Sequence, residues 1–249
     1  MATVLSLSDV TKRFGGLTAV DSVTINLESR KLNAIIGPNG AGKTTLFNLI
    51  CGEISADTGR IEFGGENLVG MKPHQIVRHG ISRTLQIKSV FSGMTVADNV
   101  RIAVLSYERV MAPFRSVNSF RAVTARAGEL IEEVGLADHY DDLASALSYG
   151  DVALLELALA LAAEPKLMLL DEPVCGMGPE ETARTVATVK NISRRTDIVL
   201  IEHDMEVVFD VADFIMVMSQ GAILATGSAA EIADNPRVQE AYLGPPEDD

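Results

Sequence analysis

The stretch that decides the fold occupies residues 32–45 and reads Leu32-Asn33-Ala34-Ile35-Ile36-Gly37-Pro38-Asn39-Gly40-Ala41-Gly42-Lys43-Thr44-Thr45. Its first five residues form a mostly apolar run typical of a buried strand, and a helix is predicted over Lys43 to Ile50. The glycine-rich turn between them satisfies the pattern G-x-x-x-x-G-K-[ST]. Such a turn directs backbone N–H groups towards an anion at a helix N-terminus, whose partial positive charge adds to the attraction. The stretch therefore predicts a phosphate-binding loop.

Two side chains of this loop have predicted roles in binding a nucleoside triphosphate. Lys43 would place a compact positive charge beside the β- and γ-phosphates, and Thr44 would offer its hydroxyl to Mg²⁺, which keeps several waters. The alternative is a turn that only connects a strand to a helix, but average composition produces the four specified residues in about one chain in a hundred of this length. We therefore predict ATP and Mg²⁺ as ligands. The predicted ATP-binding residues of the loop are Gly37, Pro38, Asn39, Gly40, Ala41, Gly42, Lys43, Thr44 and Thr45.

Composition limits the class of protein. The chain has 249 residues, of which 47% are hydrophobic, and a formal net charge of −13. Nucleic acid is not an expected partner, because its phosphates would be repelled and the sequence has no basic stripe. The two cysteines show no disulfide or metal-ligand spacing and fit a reducing cytoplasm. No stretch reaches the roughly 20 apolar residues of a spanning helix, and no secretory signal is expected at the amino terminus. Any work at a membrane would need a partner there.

Apolar β-branched runs alternate with helical patterns, which is typical of a mostly parallel sheet covered by helices. Strands are predicted at Leu32–Ile36, Leu167–Leu170, Ile198–Ile201, Phe214–Met218 and Ile223–Ala225. Helical periodicity replaces the strand pattern from about residue 95 to residue 163. We predict one α/β domain with a P-loop (RecA-like) core at residues 1–86 and 164–249. An antiparallel β part would lie near the N-terminus, and a helical subdomain would be inserted at residues 87–163.

Acidic, amide and histidine side chains follow several predicted strands. Asp171 and Glu172 end one apolar run, where Asp171 could reach the hydration shell of Mg²⁺ and Glu172 could deprotonate an attacking water. Such a pair often marks only the return of the chain to solvent, but the phosphate loop upstream favours catalysis. His203 follows the next strand and is a candidate γ-phosphate contact, although a lone histidine is more often structural. Gln86 follows a short apolar run and would be unremarkable by itself.

The order of these motifs resembles one family. Leu147-Ser148-Tyr149-Gly150-Asp151 stands at the predicted start of a helix and resembles the signature, commonly L-S-G-G-Q, of the nucleotide-binding subunits of ABC transporters. Other P-loop enzymes share the phosphate loop and the acidic strand but not this signature. The resemblance extends over essentially the whole chain, from the phosphate loop through Gln86, the signature and Asp171-Glu172 to His203.

The resemblance implies that each ATP is shared between two subunits. Phe14 would stack on adenine, although an isolated phenylalanine near a turn could also be a core residue. Ser148 and Gly150 would contact the γ-phosphate of ATP held by the opposing subunit, so that closure of the pair would depend on ATP.

The resemblance also implies the catalytic and metal-binding sets. Glu172 would be the general base, His203 would lie near the γ-phosphate, and Gln86 would contact Mg²⁺ or water and link the site to the helical insertion. The implied catalytic residues are Glu172, His203 and Gln86. The implied metal-binding residues are Thr44, Gln86 and Asp171.

Partners follow from the same resemblance. A second ATP-binding subunit, identical or different, would complete each site. Transmembrane permease subunits would respond to closure, a solute-binding protein would act indirectly, and the chain would lie peripherally on the cytoplasmic face of the cell membrane. Arg83-Thr84-Leu85-Gln86, together with residues 201–205 and 235–244, resembles the ATP-binding proteins of branched-chain amino acid importers. That group also includes importers of urea, short amides and other amino acids.

Two positions depart from the family pattern. Asp151 stands where Gln or Glu is usual, and at about 7 Å from a phosphate its charge would cost about 2 kcal/mol at an effective dielectric constant near 20. We therefore expect Asp151→Gln to tighten ATP-driven dimerisation. Gly178 stands where relatives carry Asp or Asn. These changes leave open a pair in which one ATP site is the weaker.

Three alternatives account for less of the sequence. A soluble ABC ATPase acting on DNA or ribosomes would usually carry a coiled-coil insertion or a second cassette. A nucleotide sensor without hydrolysis would have no use for Glu172, Gln86 and His203, and a nucleotide kinase would leave the signature unexplained. The sequence predicts an ATP-hydrolysing importer subunit for branched-chain or related amino acids, with an importer of urea or amides as the alternative.

Overall fold

The computed structural model describes residues 3–29, 31–84, 90–108 and 120–243, which form two β-sheets with helices packed on them. The strands are β1 (Thr3–Phe14), β2 (Leu17–Glu28), β3 (Leu32–Ile36), β4 (Thr58–Phe63), β5 (Glu66–Asn67), β6 (Ile81–Arg83), β7 (Leu167–Asp171), β8 (Asp197–Ile201), β9 (Phe214–Ser219) and β10 (Ala222–Gly227). The α-helices are α1 (Lys43–Ile50), α2 (Pro73–His79), α3 (Val96–Glu108), α4 (Arg121–Glu133), α5 (Tyr149–Leu161), α6 (Pro179–Ser193), α7 (Met205–Val211), α8 (Ala229–Ala233) and α9 (Pro236–Leu243).

The larger sheet has six strands in the order β10-β9-β3-β8-β7-β6. Its neighbouring strands are parallel, except that β10 pairs antiparallel with β9. The smaller sheet is antiparallel and has the order β2-β1-β4-β5. The predicted α/β class, with a mostly parallel sheet and an antiparallel part near the N-terminus, is confirmed.

Both faces of the larger sheet are covered at its centre, which explains why β3, β7 and β8 are mostly apolar and buried. Met168 and Leu170 of β7 belong to one hydrophobic cluster with residues of α3, α4 and α5. Leu167 and Leu169 point to the opposite face and join a cluster with α1 and the smaller sheet. The end of β7 is therefore fixed between two cores.

β3 lies between β8 and β9, and all five of its residues are buried. In the parallel registers Ile35 pairs with Ile201, and Ile201 also pairs with Asp171. The carboxyl ends of β3, β7 and β8 therefore meet at one edge of the sheet, where ligands bind in open α/β folds. The phosphate loop, the acidic pair and His203 all follow strands that end there.

The strand-poor middle of the chain is helical where the structure describes it, in α3, α4 and α5. None of the helices in the described ranges combines the length and hydrophobicity needed to cross a membrane. Cys51 is buried, Cys175 is exposed, and both are free thiols. The sequence predicts the stretch around Pro113 to Ser119 to be the least regular part of the helical region and Pro245 to Asp249 to be an acidic tail, and both lie outside the described residues.

Candidate functional site

The loop that joins β3 to α1 is held against two other strands. Gly37 and Gly42 have backbone φ values of 151° and 101°, which residues other than glycine rarely adopt. A Cβ atom at Gly37 would lie 2.1 Å from the carbonyl oxygen of Met218 in β9, and one at Gly42 would lie 2.3 Å from that of Ala19 in β2. Both conformation and space therefore require glycine at these two positions.

α1 begins at this loop without a side-chain cap. Its N-cap residue is Gly42, which offers no acceptor to the amides of the first turn. An uncapped helix N-terminus presents N–H groups and a partial positive charge to a ligand, so it suits an anion. In the first turn the Thr44 side chain is exposed and Thr45 is half-buried.

The ammonium group of Lys43 is bound by the loop itself. Nζ donates hydrogen bonds to the carbonyl oxygens of Gly37, at 2.7 Å, and Pro38, at 3.1 Å. Burial lowers the pKa of Lys43 below its ordinary value, whereas the nearby carboxylates of Glu172 and Asp171 raise it. The lysine thus stands within electrostatic reach of the acidic pair.

An open cavity of about 750 Å³ has the phosphate loop in its lining. Phe14 and Leu17, at the turn between β1 and β2, also line it, as does Glu172. Phe14 is 49% exposed, so it is not a core residue. Lys12 Nζ lies 5.5 Å from the centre of its ring. A cavity of this size, lined by an exposed aromatic ring and a cationic loop, suits a nucleotide.

Asp171 ends β7 with its side chain fully buried. Its Oδ2 accepts a hydrogen bond from Nη2 of Arg83 at 2.7 Å. Its Oδ1 is buried and has no hydrogen-bond partner among the residues described. A buried oxygen without a hydrogen-bond partner is energetically unfavourable unless a ligand or water binds it. Arg83 therefore fixes Oδ2 of Asp171, while Oδ1 is available to a ligand.

Glu172 and His203 lie side by side at the carboxyl edge of the sheet. Glu172 has a φ of 51°, a value that is rare outside glycine and that occurs disproportionately at functional sites. Its amide donates to the carbonyl oxygen of Ile201 at 2.9 Å, which ties the end of β7 to β8. Nδ1 of His203 is 3.9 Å from Oε1 of Glu172, and the His203 side chain is 58% exposed.

Glu202 is a fully buried carboxylate next to His203. Its oxygens accept hydrogen bonds from the amides of Val174, at 3.2 Å, and His203, at 3.0 Å. Burial raises the pKa of Glu202 above its ordinary value, although these backbone hydrogen bonds act in the opposite direction. Glu202 therefore joins the turn that follows Glu172 to the backbone of His203.

The predicted signature opens α5 and contacts α6. Oγ of Ser148 caps α5 by accepting a hydrogen bond from the amide of Asp151 at 3.2 Å. The amide of Gly150 donates to Oε1 of Glu181 at 3.1 Å, and the amide of Gly178 donates to Oε2 at 3.3 Å. The nearby Ser148 hydroxyl and the hydrogen bonds from these two amides lower the pKa of Glu181. An anion from the same chain is thus seated at the N-terminus of α5.

Asp151 is paired with a cation that the sequence did not indicate. It is 7% exposed, accepts a hydrogen bond from the Ser148 hydroxyl at 2.8 Å, and forms an ion pair with Arg184 of α6. Burial raises the pKa of Asp151, but the hydrogen bonds from Ser148 and Arg184 outweigh burial and hold it below its ordinary value. The phosphate repulsion expected from the sequence did not include Arg184, whose positive charge reduces it, and tighter dimerisation in Asp151→Gln stays a prediction.

The structure brings Phe14, Lys43, Thr44 and Glu172 together around one cavity. Within the described part of the chain, neither Ser148 nor Gly150 belongs to the lining of that cavity. Gln86 falls in the segment 85–89 and lies outside the described residues.

Comparison with protein families agrees with this geometry. A family described as "ABC transporter" matches residues 20–175, more than half of the chain. The chain belongs to the ABC transporter family. A second family, "Branched-chain amino acid ATP-binding cassette transporter", matches residues 222–244.

Curated ABC transporter proteins resemble the chain over nearly its full length. BraF of Pseudomonas aeruginosa, a high-affinity branched-chain amino acid transport ATP-binding protein, is 37% identical, and the match covers 97% of this chain and 98% of BraF. LivG of Escherichia coli, which has the same description, is 38% identical, with 97% and 98% covered.

Solved ABC cassettes have the same fold. The crystal structure of a nucleotide-free ATP-binding cassette from an ABC transporter gives a TM-score of 0.85 at 29% identity, over 98% of this chain and 100% of the other. A cassette crystallised in its ADP conformation gives 0.86 at 29% identity, with the same coverage.

Four charged residues of this ABC cassette received no role from the sequence: Arg83, Glu181, Arg184 and Glu202. Arg83 lies three residues before Gln86, and Glu202 directly precedes His203. Each is a charged residue at the end of an apolar run, and that position could have marked it as a candidate site residue. Glu181 and Arg184 lie one turn apart on α6, and their contacts with α5 are tertiary, so nothing local pointed to them.

Proposed function

We propose that this chain is the ATP-binding and ATP-hydrolysing subunit of an ABC importer for branched-chain or related amino acids. The observation that carries the proposal is the cavity in whose lining the phosphate loop, the exposed Phe14 ring and Glu172 meet. Hydrolysis needs a triphosphate held in place and a positioned water, and a carboxylate near the terminal phosphate can deprotonate that water. The descriptions of BraF and LivG support the choice of solute.

ATP binding exchanges contacts that already exist in the loop. The Lys43 ammonium leaves the carbonyl oxygens of Gly37 and Pro38, which it contacts at 2.7 and 3.1 Å, and takes oxygens of the β- and γ-phosphates instead. The N-terminus of α1 adds its partial positive charge to the phosphates. Adenine stacks on Phe14, whose ring is available because nearly half of the residue is exposed.

Residues at the end of β7 and in the first turn of α1 fit a Mg²⁺ ion. Magnesium takes oxygen ligands and retains several waters. Asp171 keeps a buried Oδ1 without a partner in the described structure, and the Thr44 side chain is exposed in the first turn of α1. In this proposal Thr44, Asp171 and Gln86 hold the ion. Bound with ATP, it neutralises charge on the β- and γ-phosphates.

Glu172 acts as the general base. Its carboxylate lines the cavity and is 27% exposed, so a water can reach it. It takes the proton of the water that attacks the γ-phosphorus, while the bond from that phosphorus to the β,γ-bridging oxygen breaks and ADP leaves. His203 contacts the γ-phosphate from its place beside Glu172, and Gln86 orients the attacking water.

A second ATP-binding subunit completes each site. Ser148 and Gly150 stand at the N-terminus of α5, which suits a phosphate, yet they lie outside the cavity of their own chain as far as it is described. We assign them to the γ-phosphate of ATP on the opposing subunit. ATP then joins the two subunits and hydrolysis releases them, which makes the pair a ligand-driven two-state element.

Permease subunits in the membrane respond to this closure, with the chain bound peripherally at the cytoplasmic face. A solute-binding protein delivers the amino acid to the permease and does not contact ATP. The movement of the pair, and not any contact of this chain with the solute, drives uptake.

The test is Glu172→Gln in the transporter purified with its permease. Loss of the general base lowers ATP turnover by about 10²–10⁴-fold and leaves ATP binding intact. Leucine uptake into vesicles falls with it, while Glu180→Gln, an exposed acid at the start of α6, serves as the control. Unchanged turnover contradicts the assignment of Glu172. Stimulation of turnover by urea or acetamide, but not by leucine, contradicts the choice of solute.

A further inference from the structure

Arg83, the last residue of β6, lies between the acidic end of β7 and the helix that follows the phosphate loop. Its Nη2 donates to Oδ2 of Asp171 at 2.7 Å, and its Nη1 donates to Oδ1 of Asn48 in α1 at 2.5 Å. Its guanidinium also lies 5.6 Å from the centre of the Phe47 ring, again in α1. One planar cation therefore connects the strand that ends in Asp171 with the helix that begins at Lys43.

The ion pair between Arg83 and Asp171 is buried on both sides. The exposed fractions of the two side chains are 9% for Arg83 and 0% for Asp171. A buried ion pair adds little net stability, because both charges lose their hydration, but it fixes the orientation of both groups. The rigid fork of arginine fixes orientation better than the flexible ammonium of lysine. The pair leaves Asp171 with Oδ2 engaged and Oδ1 free among the described residues.

We propose that Arg83 is a positioning residue of the metal site. It holds Asp171 by Oδ2, which would leave Oδ1 for the nucleotide-bound Mg²⁺ or its waters, and through Asn48 it ties that carboxylate to α1, the helix that carries Thr44. The inference rests on the proposed function, because it takes Asp171 as the acid of the metal site. Residues that orient a metal-binding group from the second layer usually contribute 10–100-fold to metal affinity.

Other roles of Arg83 predict different outcomes. An arginine that acted only through its charge would repel the metal, so its removal would tighten metal binding. An arginine with only a structural role would, on removal, weaken nucleotide binding to the same extent with and without metal. A positioning residue is distinguished by weaker metal binding at an unchanged affinity for metal-free nucleotide.

The experiment compares Arg83→Met and Arg83→Lys with the wild-type full-length chain. Mn²⁺ binding to the ADP-loaded protein is followed by electron paramagnetic resonance, and ADP binding is measured separately in the presence of EDTA. Arg101→Met is the matched control. Arg101 donates to an aspartate (Asp98, 3.0 Å) and to the Tyr140 hydroxyl (2.8 Å), and its side chain is 13% exposed, in the helical part of the chain.

Arg83→Met is expected to weaken Mn²⁺ binding about tenfold or more, with ADP binding in EDTA unchanged and no effect of Arg101→Met. Arg83→Lys is expected to bind Mn²⁺ more tightly than Arg83→Met but more weakly than the wild type. If Arg83→Met fails to fold, a several-fold loss of Mn²⁺ affinity in Arg83→Lys supports the inference. Equal or tighter Mn²⁺ binding in the folded variants overturns the inference alone. Failure of the wild-type chain to bind ADP with Mn²⁺ overturns the proposed function as well.

Discussion

The backbone amide of Gly150 donates a hydrogen bond to the Glu181 carboxylate of its own chain, at 3.1 Å. In the proposed mechanism the same amide binds the γ-phosphate of ATP on the opposing subunit. Because both acceptors are anions, they repel each other when the subunits close. The N-terminus of α5 therefore holds an internal anion before the nucleotide of the partner arrives.

Replacing Glu181 tests this competition. Glu181→Gln removes the negative charge and keeps an oxygen that can accept from Gly150, so we expect ATP-driven pairing to tighten several-fold at low salt, with a smaller effect at high salt. The measurement is sedimentation at matched ATP in the Glu172→Gln background, where hydrolysis does not reverse the pairing. Glu180→Gln, one residue away and exposed, is the control. Weaker pairing would show that Glu181 supports the signature and does not compete with phosphate.

The ion pair of Asp151 with Arg184 predicts a pH-dependent stability. The pKa of Asp151 is lowered in the folded chain, so its stabilising contribution is present above the ordinary aspartate pKa of about 3.9 and is lost as pH falls through the lowered value. Asp151→Asn should lose about 1 kcal/mol of unfolding free energy at neutral pH, since Arg184 is partly exposed. The difference from wild type should shrink in acid. Denaturant unfolding as a function of pH checks this, with the exposed Asp138→Asn as control; a pH-independent difference would contradict it.

Lys43 links ATP binding to proton uptake. Burial lowers the pKa of Lys43 in the ligand-free loop, and bound phosphates raise it again because they favour the charged form. ATP affinity should therefore fall as pH rises through the lowered pKa, at values below the ordinary lysine pKa of about 10.4. Calorimetry at alkaline pH in buffers of different ionisation enthalpy measures the uptake. Lys43→Arg, which stays charged throughout, should show none; equal uptake in both proteins would assign the proton to another group.

Phe14 is expected to contribute to affinity and little to stability. Stacking of a base on an aromatic ring contributes about 1–3 kcal/mol, so Phe14→Ala should weaken ATP binding about tenfold. The thermal midpoint should change little because the residue is 49% exposed. Titration with ATP and with triphosphate alone separates the two parts of the ligand. Phe91→Ala, at a residue that is 56% exposed, controls for loss of a surface aromatic; an equal loss for triphosphate would argue against stacking.

Local patterns predicted the centre of the fold well. The strand at Leu32–Ile36 and the helix at Lys43–Ile50 have the predicted bounds, because an apolar run, a glycine turn and a helical repeat follow each other without interruption. The long strands β1 and β2 were expected only as an unspecified antiparallel part. Their residues alternate irregularly, since the pairing of β1 with β2 contains several register shifts.

Contacts between residues far apart in the sequence could not be predicted from local patterns. Arg83 meets Asp171 across 88 positions of the chain, and Gly150 meets Glu181 across 31. Both contacts depend on how β6 pairs with β7 and how α5 packs on α6. Motif spacing therefore identified the residues expected to touch nucleotide, while the residues that hold them in place emerged only from the packing.

The close approach of Gly37 to the carbonyl oxygen of Met218 has a consequence for biosynthesis. Chains are made from the amino terminus, so a nascent polypeptide on the ribosome carries the glycine-rich turn long before β9 has been translated. β3 also needs β8 and β9 as its neighbours in the sheet. The phosphate loop can therefore reach its final conformation only after most of the chain has been translated. ATP bound to the finished pocket cannot assist the early steps of folding.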